Sequence, residues 1–192
     1  MKALLIASVL LTSIAGCGAT LNKMGGVGQI ESNIDRLTGS QKVSVTATPT
    51  HNFEGEVATS KFGASWDSTS PDKVFLRLTS SSSVSQSDTY VSFESMEVSI
   101  NGEIRKIDFG RTSQNSGGYN SLTRDIYTES RASKYLDYDY FNAMVNNPTT
   151  KIRVHTIDWF EDIDFQKETN GIGADLAKSS LLKFIEEVDK NR

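Results

Sequence analysis

Most of the chain is patterned in twos. Val43, Val45 and Ala47 point one way and Ser44, Thr46 and Thr48 the other, the alternation of a half-buried strand, which Pro49 is expected to stop. Phe62, Ala64 and Trp66 alternate in the same manner, and Val74, Leu76 and Leu78 share one face of a third run. Tyr90 to Ile100 predicts a further strand. Asn101-Gly102 follows it, a strong hairpin signal because both residues tolerate positive φ. Glu103 to Phe109 is then the returning strand. Leu122 to Tyr127 and Lys151 to Ile157 are two more, the second with Ile152, Val154 and Thr156 opposed by Arg153 and His155. Thr79 to Asp88 and Thr112 to Tyr119 are read as polar loops, since Ser, Asn and Gly compete with regular pairing and suit turns.

Helical spacing occurs late in the chain. Tyr138, Phe141, Met144 and Val145 fall near one face and predict a helix over 135–146, with Asp137 as its cap and Pro148 barring extension. Leu181, Ile185 and Val188, widened by Leu182 and Phe184, predict a terminal helix over 175–189. Ile30, Ile34 and Leu37 would line a short helical turn ended by Gly39. The fold class predicted is α+β: mainly antiparallel sheet or sandwich, with a short helix near 135–146 and a C-terminal helix near 175–189. A single domain is expected over 41–192.

The N-terminal segment has a different pattern. Lys2 is followed by an uncharged apolar run from Ala3 to Ala15, too short to span a bilayer as a helix but long enough for the core of a secretory signal. Ile14-Ala15-Gly16-Cys17 closes it and resembles the lipobox of bacterial lipoproteins. The resemblance covers residues 1 to about 18. It implies cleavage between Gly16 and Cys17 and a thioether-linked diacylglycerol on Cys17, often with acylation of the new amino group; two or three acyl chains anchor stably where one does not. In Gram-negative lipoproteins an Asp after the cysteine commonly retains the protein at the inner membrane. Gly18 stands there, so the resemblance implies the outer membrane of a Gram-negative source. Residues 17–40 are read as the lipidated cysteine and a flexible tether, its first part rich in glycine. Gly25-Gly26-Val27-Gly28 is not a phosphate loop, because no strand precedes it and no Gly-Lys-Ser/Thr closes it.

Composition adds mainly exclusions. The 192 residues carry 20 Lys+Arg against 24 Asp+Glu, a net charge of -4, and there is no basic block to neutralise nucleic-acid phosphates. The balance also argues against charge-driven adhesion to anionic lipid. The one cysteine excludes an internal disulfide.

Candidate chemistry is sparse. Asp158, Glu161, Asp162 and Asp164 crowd Trp159 and Phe160, but the spacing does not match a calcium loop and no glycine sits at its turn position. His51 and His155 are the only histidines, too few for zinc when Cys17 is committed to lipid. Neither Gly-x-Ser-x-Gly nor Ser-x-x-Lys with its companion motifs is present. Glu94 and Glu97 are three apart, which in a regular strand puts them on opposite faces. No catalytic residue, metal ligand or cofactor is assigned. The second half is rich in aromatics, and Trp159, Phe160 and Tyr138 are the candidate partner contacts. The expected function is that of a membrane-anchored envelope lipoprotein acting as a binding or assembly module, with the membrane reached through Cys17 and an envelope protein or glycan as partner. Two alternatives are an envelope hydrolase with a site assembled from distant residues, and a carrier of a lipid or other apolar ligand.

Overall fold

The computed structural model describes residues 27–50, 60–83, 90–120, 125–163, 165–169 and 175–192. Gly16, Cys17, His51 and Asp164 lie outside the described residues, as do the signal segment and the first part of the tether. Among the described residues, ten strands and two helices follow in the order β1 (Ile30–Ile34), β2 (Gln41–Pro49), β3 (Lys61–Asp67), β4 (Lys73–Ser83), β5 (Phe93–Ile100), β6 (Glu103–Asp108), β7 (Ser113–Asn120), β8 (Asp125–Asp137), α1 (Tyr138–Asn146), β9 (Lys151–Thr156), β10 (Phe160–Ile163) and α2 (Ala177–Asn191). The strands form two antiparallel sheets, a six-stranded one in the order β1-β2-β3-β4-β8-β7 and a four-stranded one in the order β10-β9-β5-β6. The fold is α+β and mainly antiparallel, as the alternation predicts.

One core unites the two sheets and both helices. Val43, Val45, Phe62, Ala64, Trp66, Val74, Leu76 and Leu78 are buried on the inner face of the large sheet, and Met96, Val98, Ile152 and Val154 on that of the small one. The α2 stripe Ala177, Ser180, Leu181, Phe184, Ile185 and Val188 is buried at the i, i+3, i+4, i+7 spacing of an amphipathic helix. It rests on β1, β2 and β3. Phe141 of α1 meets Phe184 edge to face, with ring centroids 5.9 Å apart. The sheets are joined directly as well. Phe165, just beyond β10, packs edge to face on Phe62 of β3 at 6.1 Å, and the Val91 amide donates to Ser130 Oγ of β8 at 2.9 Å.

Several expectations are corrected. Residues 30–34 are strand β1, paired with β2 from Ile30↔Val45 to Ile34↔Gln41, so the helical turn read there does not form and the sheet begins before residue 41. Gly39 does turn the chain, with φ of 71°. Its neighbours Leu37 and Thr38 donate their amides to Asp35 Oδ1. β2 ends at Pro49 as expected, but a bulge between Val45 and Thr48 turns Thr48 inward where Ala47 was expected. β4 extends through Ser83 and β7 occupies Ser113–Asn120, both read as loops from their serines and glycines. Each is paired along β8, whose thirteen residues satisfy their backbone groups whatever their propensity. β8 also takes Tyr135–Asp137 from the predicted helix, so α1 starts at Tyr138. Asp137 makes no side-chain cap; its carboxylate accepts from Lys73 Nζ at 2.5 Å instead.

The hairpin at Asn101-Gly102 forms as predicted, with φ of 52° and 86°. It is tied to the loop after α1. The Asn101 amide donates to Thr149 Oγ1, while its Oδ1 accepts from Thr149 Oγ1 at 2.9 Å and from Asn147 Nδ2 at 3.2 Å. This corner marks one end of the small sheet. The β9–β10 turn lies at the other.

Candidate functional site

β9 and β10 pair from His155↔Phe160 to Ile152↔Ile163, leaving Ile157 and Asp158 as the loop between Thr156 and Trp159. Three bonds close it. The Thr156 amide and its Oγ1 both donate to the Trp159 carbonyl at 2.8 Å, and the Trp159 amide donates to Thr156 Oγ1 at 3.0 Å. A fourth ties it to the start of β5, where the Ile157 amide donates to the Ser92 carbonyl at 3.1 Å. The turn is therefore held from inside and from its neighbour.

What it displays is apolar. Ile157 is 66 % exposed, Trp159 40 % and Phe160 56 %, and Tyr90, two residues before Ser92, is 41 % exposed. These are four of the eight large hydrophobics that the described residues expose, concentrated at one end of the small sheet rather than scattered. With aromatic side chains offering about 150–250 Å² each, the three turn residues present roughly 300 Å² of apolar surface, the size of patch that on a monomer is often functional.

The binary pattern is inverted in the first half of β10. Alternation turns Phe160 and Asp162 outward and Glu161 and Ile163 inward. Glu161 is buried and accepts a hydrogen bond from Ser60 Oγ at 2.5 Å, which joins β10 to the residue before β3. Asp162 is held by Arg153 through two bonds, Nε to Oδ1 at 2.5 Å and Nη2 to Oδ2 at 2.8 Å. That pairing holds the Asp162 carboxyl below its ordinary value and raises Arg153. The same guanidinium lies over the Phe160 ring at 4.4 Å, so the ring is fixed from below by a cation–π contact. On the other side of Arg153 stands Glu97 of β5, whose Oε2 is 3.3 Å from His155 Nε2 without hydrogen-bond alignment.

The structure separates the other candidates. Tyr138 is 2 % exposed, so a docking partner would not reach its ring, contrary to its expected role as a contact. Its hydroxyl donates to Asp189 Oδ1 at 2.6 Å and Arg192 covers the ring at 4.3 Å, locking α1 to the end of α2. Burial chiefly raises its pKa, helped by Asp189. The acidic cluster is dispersed: Asp158 is in the exposed loop, Glu161 faces Ser60 and Asp162 faces Arg153. Among the described residues, no group of three or more His, Cys, Asp or Glu is placed to hold a metal. The face argument for Glu94 and Glu97 does not hold either, because a bulge between Phe93 and Ser95 breaks the alternation there; Glu97 lies beside His155 and Arg153.

Two grooves lined by described residues are open to solvent. One, about 630 Å³, runs over the outer face of the small sheet past Glu97, Ile104, Lys151 and Arg153. Another, about 500 Å³, lies on the outer face of the large sheet beside Phe75 and Tyr135, whose rings are 4.8 Å apart. The carboxylates with lowered pKa, Asp35, Asp67, Asp137, Asp162 and Glu187, are surface groups held by lysine, arginine or backbone and threonine donors, the pattern of structural ion pairs. No family model, no curated protein and no solved structure matches the chain.

The turn gives little sequence signal. Its loop, Ile157-Asp158, has neither Gly nor Asn to mark a two-residue hairpin. The one available clue was two adjacent large aromatics amid carboxylates.

Proposed function

We propose that this protein is a membrane-anchored envelope lipoprotein whose β-rich domain is a binding module, with the Ile157–Phe160 turn as its contact surface. The observation that supports a contact role is the turn itself: an apolar end held rigid by four hydrogen bonds and an arginine stacked on Phe160. A rigid aromatic projection loses little conformational freedom on binding. The anchor rests on the lipobox-like Ile14-Ala15-Gly16-Cys17.

Two experiments test the two halves. Intact mass of membrane-extracted protein should show an N-terminus at Cys17 carrying acyl mass, absent in Cys17→Ser; an unmodified chain refutes the anchor. A diazirine side chain at position 159, photolysed in isolated envelopes, should form adducts with an envelope component. If the label reacts only with water, the turn is not a contact.

A further inference from the structure

We infer that the surface met by the turn is the bilayer itself, in its zwitterionic headgroup layer, so that Ile157, Trp159 and Phe160 make a second membrane contact beside the lipid. This rests on the proposed anchor at Cys17.

The chain enters the domain at the same end as the turn. Gly28 lies against Thr48, whose Oγ1 is 3.3 Å from where a Gly28 Cβ would stand, and Thr48 pairs with Phe62 at the start of β3. Two residues past Thr48, the Thr50 amide and hydroxyl donate to the Ser60 carbonyl. Ser60 Oγ in turn donates to Glu161, the neighbour of Phe160. These short contacts run from the domain's first described residues to the base of the turn, at the end of the small sheet opposite Asn101-Gly102. Val27 is ten positions after Cys17, a reach of at most about 35 Å. A lipid on Cys17 therefore holds this end of the domain within about 35 Å of the bilayer surface, which puts the turn within reach of the headgroups.

The exposed chemistry suits that layer. Tryptophan and other aromatics favour the boundary between headgroups and acyl chains, apolar body inward and polar handle outward. The turn is a projecting hairpin end rather than a groove, so it needs a deformable surface and not a shaped cavity. Asp158 at the loop and the net charge of -4 weigh against an anionic membrane, which leaves zwitterionic lipid. Because the anchor makes the contact intramolecular, a weak affinity at millimolar effective concentration is sufficient.

The test uses the acylated protein in phosphatidylcholine vesicles whose acyl chains are brominated near the headgroup, with tryptophan fluorescence as readout. Of the two tryptophans, Trp66 is buried in the core and Trp159 is exposed, so Trp159→Phe, a change at the surface, isolates the Trp66 signal. The expected result is that brominated lipid removes about a third or more of wild-type emission and leaves Trp159→Phe unchanged. Phe160→Ser should reduce the quenching without releasing the protein from vesicles. If the acylated protein sediments with vesicles but Trp159 is not quenched, the inference is overturned while the anchor stands, and discrete protein adducts from position 159 would then identify a protein partner instead. If mass shows no acyl group, the anchor reading falls and the inference with it.

Discussion

Phe165→Ala tests the joint between the two sheets. Phe165 lies beyond the last strand of the small sheet, is 2 % exposed, and reaches Phe62 of β3 edge to face, the planes at 89°. Truncating a buried phenylalanine to alanine removes its transfer free energy and leaves a cavity, together about 3–5 kcal/mol. Of this, about 0.5–1.5 kcal/mol belongs to the ring–ring geometry. At about 2–4 °C per kcal/mol for a chain of this size, Tm should fall by roughly 6–20 °C. The ring term is isolated by a double-mutant cycle with Phe62→Leu, Phe165→Leu and the pair, followed by circular dichroism in urea. A coupling of about 1 kcal/mol is expected, because the two residues touch. A Phe165→Ala loss below about 1 kcal/mol, an ordinary value for any substitution, would show that the segment after β10 is not part of the core. The account of how β10 is held would then be wrong.

Three further outcomes follow from the same structure. Gly63→Ala should destabilise by about 1–3 kcal/mol in denaturant titration, because its Cβ would meet the Val45 carbonyl oxygen at 3.0 Å and the Ala47 amide nitrogen at 3.2 Å; a neutral result would mean that the β2 bulge yields. Asn101→Ala places a Cβ residue without a polar side chain at φ of 52° and strips the acceptor used by Thr149 and Asn147. A loss of about 1–2 kcal/mol is expected, with Asn101→Gly recovering the backbone share; equal losses in both variants would assign the whole effect to the side-chain bonds. Asp35, Asp67, Asp137 and Asp162 all sit below the ordinary 3.8 in the folded chain. Their stabilisation is thus complete above that value and declines as pH falls through it toward the folded values. Melting temperature should drop on going from about pH 5 to about pH 3, modestly because the pairs are exposed and screened by salt. A melting temperature that rises over that interval contradicts the assignment.

The inward sets Val43/Val45, Phe62/Ala64/Trp66 and Val74/Leu76/Leu78 were legible because a strand with one buried face writes its period into the nearest residues. The α2 stripe was legible for the same reason at a helical period. Ser80 to Ser83 and Ser113 to Tyr119 were not, since their residues suit loops and only β8 makes them strands. Ile30, Ile34 and Leu37 fitted a helical spacing, yet β2 offers residues 30–34 a ladder of backbone bonds that a turn of helix cannot match. At the candidate site, Trp159 and Phe160 were singled out for their type alone. Tyr138 shared that type and proved to be core, which shows how little residue type says about exposure.

The segment Phe160-Glu161-Asp162-Ile163 sets the boundary between the two kinds of information. Sequence by itself determined that the chain is mainly antiparallel with helices late, and left this segment as a solvated strand end or loop. It did not determine which parity faces inward, for each face holds one apolar and one acidic residue. Tertiary structure decided it: Ser60 supplies a donor for Glu161 from the large sheet and Arg153 a bidentate partner for Asp162 on the outer face. Local periodicity is carried by neighbours in the chain, whereas partners for charges come from residues far along it, Ser60 being 101 positions from Glu161. The exposure of Phe160 follows from those partners.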